Sequence, residues 1–139
     1  MRKVGYKGPR EVWFIPSSWA KILPENATVW THLARRFSVA GWLQLADSEI
    51  NLKFEVCRMK DPALRMACVE GLRNGGFKLT RKAFDMDATY SRFFRSSKSV
   101  QDPADEEEVA AAIRGLVGEA TQEFPKVEAV LKGVFAEGA

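Results

Sequence analysis

The stretch from residue 50 to residue 57 alternates strictly between apolar and other side chains, and this pattern restricts the fold more than any other feature of the sequence. Alternate side chains of a β-strand point to opposite faces of a sheet. The pattern therefore predicts a strand with a buried face, formed by Ile50, Leu52, Phe54 and Val56, and a solvent face, formed by Asn51, Lys53, Glu55 and Cys57. A register shift of one residue would expose the whole apolar set, so the pairing of this strand is well specified.

A second apolar run, residues 41–46, precedes this strand and predicts a hairpin over residues 41–58. The polar triplet Asp47-Ser48-Glu49 is typical of the turn. We expect this hairpin at or near the centre of the sheet. Residues 11–15 predict a further strand that ends at Pro16, and residues 17–23 predict a helical turn with a serine cap.

Four helices are predicted from apolar periodicity and from end signals. The first covers residues 26–37, with Asn26 as its cap. The second starts at Asp61-Pro62 and ends at Asn74-Gly75-Gly76. The third starts at Asp102-Pro103, and the fourth starts at Pro125. Their predicted inner residues include Leu64, Ala67, Cys68 and Leu72 in the second helix, Val109, Ile113, Leu116, Val117 and Ala120 in the third, and Val127, Val130, Leu131 and Val134 in the fourth.

The order of these elements, with two more strands described below, is β, α, β, β, α, β, β, α, α. Adjacent strands joined by short turns predict an antiparallel or mixed sheet of four or five strands, with helices on one face. We predict a single α+β domain over residues 1–139. Residues 1–10 would form a basic arm or an edge strand, and residues 102–137 a pair of C-terminal helices with an acidic face.

The composition excludes several classes of protein. The chain has 139 residues, of which 46% are hydrophobic, and this is enough for one core without disulfides or metals. It contains no run of about 18 apolar residues, and its first residues lack the apolar centre of a secretory signal. We therefore expect a cytoplasmic protein with no membrane contact, in which Cys57 and Cys68 stay reduced.

The charges are distributed unevenly along the chain. Residues 1–100 contain 18 basic and 9 acidic side chains, whereas residues 101–139 contain 3 basic and 9 acidic side chains. This asymmetry predicts a basic body with an acidic C-terminal face.

The basic excess is concentrated in residues 73–98, which contain seven basic and five aromatic side chains but only two acidic ones. We predict two strands here, over residues 77–82 and 89–96. In an ideal second strand Arg92 lies on the face of Phe94 and Lys98, and Arg95 lies on the other face unless a bulge intervenes. Phosphates are attracted to such charge, and bases stack on exposed rings. The predicted anion-binding residues are Lys78, Arg81, Lys82, Arg92, Phe94, Arg95 and Lys98.

No signature of catalysis is found. The sequence lacks a serine elbow, a phosphate-binding loop and a dinucleotide glycine motif. His32 is the only histidine and has no partnered metal motif. Cys57 has no identified base to activate it. We predict no catalytic residue, no metal site and no cofactor, and we favour a protein that is not an enzyme.

One constellation resembles a known family of enzymes. A helix, a hairpin with Asp47 at its turn, Glu55 on the next strand and a second helix resemble the core of the restriction-endonuclease-like nucleases over residues 27–82. Those enzymes hold Mg²⁺ between an aspartate and a strand glutamate. A lysine follows their glutamate by two residues, and here that place is occupied by Cys57.

Taken together, these features favour an intracellular binding module of bacterial or phage type. It would contact nucleic acid, or a protein that handles nucleic acid, through a basic sheet face that also carries aromatic residues. The first alternative is a protein-interaction domain, such as an inhibitor or adaptor, that uses its tryptophans and acidic helices. The second alternative is a nuclease with a degenerate site. The expected partner is nucleic acid or an acidic protein surface, and the oligomeric state is left open.

Overall fold

A computed structural model describes residues 10–24, 38–85, 88 and 90–135. Within these ranges four strands form one antiparallel sheet in the order β1-β2-β3-β4. The strands are β1 Arg10–Phe14, β2 Val39–Ala46, β3 Glu49–Cys57 and β4 Tyr90–Ser99. The helices are α1 Ser17–Ala20, α2 Pro62–Asn74, α3 Glu106–Thr121 and α4 Phe124–Phe135. The prediction of an α+β domain with two C-terminal helices is confirmed. No helix of the described residues is both long enough and apolar enough to span a membrane.

The hairpin of β2 and β3 lies at the centre of the sheet, as its alternation predicts. Leu43 pairs with Leu52, and Gly41 pairs with Phe54. The turn contains Asp47, whose φ of 49° lies in the left-handed region, where aspartate is tolerated better than most residues. The apolar face predicted for β3 is buried throughout.

The ring of Phe54 is the centre of the main core. Its side chain is 2% exposed, and it contacts rings from β1, α1, β4 and α4. These rings belong to Phe14, Trp19, Phe93, Phe94 and Phe124. The helices therefore pack on the same face of the sheet as Phe54, and this agrees with the prediction of helices on one face.

Helix α2 has the predicted boundaries. The Asp61 carboxylate accepts hydrogen bonds from the backbone N–H groups of Ala63 and Leu64, at 3.0 and 3.4 Å. The helix ends before Gly76, whose φ of +99° is a conformation that glycine adopts without strain. One predicted inner residue, Ala67, is exposed instead, because the buried stripe runs through Arg65, Cys68, Val69 and Leu72.

Three other details of the predicted helices are wrong. Helix α3 is capped by Asp105 and not by Asp102. The Asp105 carboxylate accepts hydrogen bonds from the backbone N–H groups of Glu107 and Glu108. Val117 is 39% exposed because the buried stripe of α3 runs through Ala112, Leu116 and Ala120. Helix α1 follows Pro16 and has no side-chain cap.

Residues 77–82 do not form the predicted strand. Residues 77–80 are irregular, and Arg81–Phe84 form a 3₁₀ helix. The Phe77 N–H donates to the Leu72 carbonyl and so ties this segment to the end of α2. The guanidinium of Arg65, which is 1% exposed, donates to the Ala83 carbonyl at 2.7 Å and to the Ser91 hydroxyl. The Ala83 carbonyl belongs to the 3₁₀ helix, so these hydrogen bonds fix that helix to α2 and to β4.

The strand predicted over residues 89–96, in contrast, is found from Tyr90 onward as part of β4, and residue 89 lies outside the described residues. The predicted helix 26–37, which contains His32, lies outside the described residues. So do residues 1–9 of the predicted arm, whereas Arg10 begins β1.

The second face of the sheet is partly covered by aromatic side chains, contrary to the prediction of a solvent face. We call it the outer face, since it points away from the helices. Trp13 stacks on Trp42 at 5.4 Å between ring centroids. Trp13 also approaches Tyr90 of the opposite edge strand at 5.8 Å. Rings from both edges thus meet across the middle strands, where Glu55 and Cys57 are buried.

Candidate functional site

A groove with a volume of about 550 Å³ lies between β4 and the segment that follows α2. Residues 92–95 of β4 form one wall, and residues 75–80 form the other. Glu123, just before α4, and Lys126, in the first turn of α4, close one part of it. Four of the predicted anion-binding residues line this groove, namely Lys78, Arg92, Phe94 and Arg95.

A β-bulge in β4 determines how these side chains are arranged. The register between β3 and β4 shifts between Phe54 and Glu55, so that Phe94 pairs with Phe54 and Arg92 pairs with Glu55. The extra residue is Phe93, and its ring turns to the core, where it contacts Phe54.

The bulge places both arginines on the outer face. Arg95 pairs with Lys53 and Arg92 pairs with Glu55, and both partners belong to the outer face of β3. An ideal strand would have placed Arg92 with Phe94, and Arg95 on the other face. The prediction for an ideal strand therefore does not hold here, because the bulge brings the two arginines to the same side of the strand.

The charges of the groove are predominantly positive. Lys78 and Arg92 are exposed, and no ion pair joins either of them to a described residue. Arg95 lies 3.7 Å from the Glu49 carboxylate, and Lys126 lies 3.6 Å from Glu123. Exposed pairs of this kind are weak, so these two cations also remain attractive to an anion.

Three predicted site residues lie elsewhere. Arg81 and Lys82 are exposed on the 3₁₀ helix and do not line the groove. Lys98 lies on the helix side of β4, where its ammonium is 3.6 Å from the Glu119 carboxylate. Its side chain covers Gly115 of α3, since a Cβ there would meet the Lys98 Cε at 2.6 Å. Sequence reasoning missed Lys126, because only the packing of α4 brings it to the groove.

The aromatic residues of this region are largely part of the core. Phe93 is 5% exposed, and Phe77 packs edge-on against it at 5.4 Å between centroids. Phe77, Leu79 and Phe94 are half-buried and line the groove. We call these three residues the floor of the groove. The groove therefore combines an apolar floor with a cationic rim formed by Lys78, Arg92, Arg95 and Lys126.

The outer face also holds a buried carboxylate beside the rim. Glu55 is 8% exposed, and the Trp42 indole N–H donates to its Oε1 at 3.1 Å. Burial raises the pKa of Glu55, although this hydrogen bond and the charges of Lys53 and Arg92 oppose the rise. The Lys53 ammonium lies 4.5 Å from the centre of the Trp42 ring. Burial and the charges of Arg95 and Arg92 lower the pKa of Lys53.

Asp47 and Glu55 are not brought together. Glu49 and Glu55 are six residues apart on one strand, which corresponds to roughly 20 Å at about 3.3 Å per residue. Asp47 lies beyond Glu49 in the turn, so the two carboxylates cannot share one ion. Among the described residues there is no group of three potential metal ligands from His, Cys, Asp and Glu.

The two thiols are both buried in this structure. Burial raises the pKa of Cys68 to about 12, against the attraction of the nearby Arg65 charge. A thiol with such a pKa is protonated at neutral pH and is a poor nucleophile. Cys68 therefore belongs to the core and not to a reactive site.

Comparisons with protein-family models, with curated proteins and with solved structures find no match to this chain.

Proposed function

We propose that this chain is a binding module that contacts the phosphate backbone of a nucleic acid through the rim of the groove. The observation that carries the proposal is the bulge at Phe93, which turns Arg92 and Arg95 to one side of β4. Lys78 stands on the opposite wall of the same groove. Three cationic residues from two segments thus line one groove.

Phosphate is the anion that best fits this arrangement. Arginine presents its N–H groups in a planar fork that matches two phosphate oxygens, and lysine adds a point charge. Neutralising phosphates releases counterions from the nucleic acid, which supplies affinity that does not depend on sequence. Such a partner also fits the cytoplasmic location and the bacterial or phage origin that we expect from the sequence.

The test is the salt dependence of binding. The dissociation constant of a labelled single-stranded DNA would be measured by fluorescence anisotropy between about 50 and 200 mM NaCl. The double variant Lys78→Ala/Arg92→Ala removes two rim charges. We expect it to reduce the slope of log affinity against log salt by about 1.4, or about 0.7 per lost contact on a single strand.

A matched control is available in the same part of the chain. Arg81→Ala/Lys82→Ala removes the same charge from exposed residues that do not line the groove, and it should leave the slope nearly unchanged. Equal slopes for the two double variants would contradict the proposal. Absence of any binding at low salt would also overturn it, and an acidic protein surface would then become the first candidate for the partner.

A further inference from the structure

We infer that the groove takes single-stranded nucleic acid and holds an unstacked base on its floor. This inference rests on the proposed function, since it assumes that the rim binds phosphate. Its basis is the combination of the floor residues Phe77, Leu79 and Phe94 with a cationic rim. A phosphate that bound to the rim alone would leave the apolar floor without an apolar group of the ligand to contact.

The size of the groove favours a single strand. A volume of about 550 Å³ lies in the range of sites that enclose small organic ligands, roughly 300–1,000 Å³. A base with its sugar fits such a space, whereas a base pair stacked within a duplex cannot enter it. A duplex would touch only the rim, and the half-buried floor would remain in contact with water.

The floor has the chemistry that a base requires. Bases stack on aromatic side chains, and this contact tolerates any base because each has a π-face. The N–H groups of Lys78, Leu79 and Thr80 donate no hydrogen bond to any described residue. Base edges carry acceptors for such donors, so the wall of the groove can also hold a base in place.

The wall formed by β4 argues against an extended peptide as the occupant. Within the described residues β4 pairs with β3 and with no strand on its other edge, so a peptide could in principle add there as a further strand. However, a bulge and charged side chains are the features by which proteins protect an edge from pairing. Here the bulge at Phe93 is flanked by Arg92 and Arg95. A nucleotide chain needs no ladder of backbone hydrogen bonds with β4 and is compatible with both features.

The experiment compares three probes of equal length on the wild-type protein. These are a labelled oligothymidylate, an abasic deoxyribose-phosphate strand and a duplex. The abasic strand keeps the phosphates and lacks the bases. We expect oligothymidylate to bind at least about fivefold more tightly than the abasic strand, since one stacked base contributes a factor of about 5 to 150. The duplex should also bind more weakly than oligothymidylate.

A floor variant adds a second measurement. Phe77→Ala should weaken binding of oligothymidylate by about fivefold or more, without a change in the salt slope and without an effect on the abasic strand. The control is Phe84→Ala, which removes another half-buried ring from the 3₁₀ helix outside the groove. It should leave binding of all three probes unchanged. Circular dichroism would establish that both variants are folded.

The outcomes separate this inference from the proposed function. Equal binding of oligothymidylate and the abasic strand, with the slope still sensitive to Lys78→Ala/Arg92→Ala, would overturn the base site and leave the phosphate site standing. The probe comparison uses wild-type protein only, so it decides the question even if Phe77→Ala does not fold. A slope that does not respond to the rim variant would remove the proposed function and this inference together.

Discussion

The contact between Gly41 and Phe54 allows a quantitative test of the core. These residues are paired across β2 and β3, and the Phe54 ring lies directly over the glycine backbone. A Cβ on Gly41 would stand 2.6 Å from Phe54 Cε1 and 2.8 Å from Phe14 Cζ. Since carbon atoms pack at about 3.5–4.0 Å, one of the rings would have to move. We expect Gly41→Ala to lower the free energy of unfolding by about 1–3 kcal/mol.

Removing the Phe54 ring should lower the free energy of unfolding by more than Gly41→Ala does. Phe54 is 2% exposed and contacts five other rings, so Phe54→Ala should lower the free energy of unfolding by roughly 3–5 kcal/mol. Domains usually have about 5–15 kcal/mol in total. The variant should therefore lose a large part of its stability and have a clearly lower urea midpoint. A loss below about 1 kcal/mol would mean that β3 is placed wrongly.

The double variant decides whether the two residues pack as described. Without the Phe54 ring, the contacts of the new Cβ at 2.6 and 2.9 Å are gone. The Phe14 ring, 2.8 Å from that Cβ, can then shift into the space that Phe54 leaves, so part of the cost in free energy should disappear. We expect a coupling free energy of about 1–2 kcal/mol in a double-mutant cycle measured by urea titration. Gly118→Ala is the control, because a Cβ there meets nothing within 4 Å, and it should stabilise α3 by up to about 1 kcal/mol. Additivity of the two core changes would refute this account of the packing.

Two further predictions concern the outer face and the start of α3. Burial raises the pKa of Glu55 above the value of about 4.3 in the unfolded chain, so the ionised carboxylate costs stability at high pH and the protonated one does not. Glu55→Gln keeps an acceptor for the Trp42 N–H. This variant should therefore have a higher urea midpoint than the wild type at pH 7 and the same midpoint near pH 4. A difference in midpoint that does not change with pH would contradict this prediction. Asp105→Ala should cost about 0.5–2 kcal/mol by thermal denaturation. Asp102→Ala should cost less, because the Asp102 carboxylate accepts a hydrogen bond from the Ala104 N–H, which lies ahead of the helix. Equal losses would show that the cap is misassigned.

The parts of the fold that follow from local rules were predictable from the sequence. The hairpin follows from the period of two in β3, and the start of α2 follows from the cap formed by Asp61 and Pro62. The segment 77–82 was not predictable in this way. Its two apolar residues, Phe77 and Leu79, fit a strand and also fit an irregular segment that lies on a core. The 3₁₀ helix that follows is held by Arg65, which is eighteen residues from the Ala83 carbonyl that it binds, and a contact over this distance cannot be read from a local pattern.

The candidate site was predictable in its location but not in its geometry. The excess of basic residues between positions 73 and 98 pointed to the region of the groove, since Lys78, Arg92 and Arg95 all line it. The rule that assigns Arg92 and Arg95 to opposite faces assumes an unbroken strand. It fails here because two successive phenylalanines are both required by the core. Lys126 could not be foreseen, since its position depends on how α4 packs.

The bulge connects the stability of the core to the charge of the groove. Phe93 and Phe94 both contact the Phe54 ring, and two neighbouring residues of a regular strand cannot point to the same face. The extra residue, Phe93, lets both rings point to the core, and it also changes the faces on which the flanking arginines lie. Because the phenylalanines occupy the core side, Arg92 and Arg95 are both directed away from it. The packing that buries the rings therefore also directs both arginines to one face of β4, and the proposed anion site lies at this bulge.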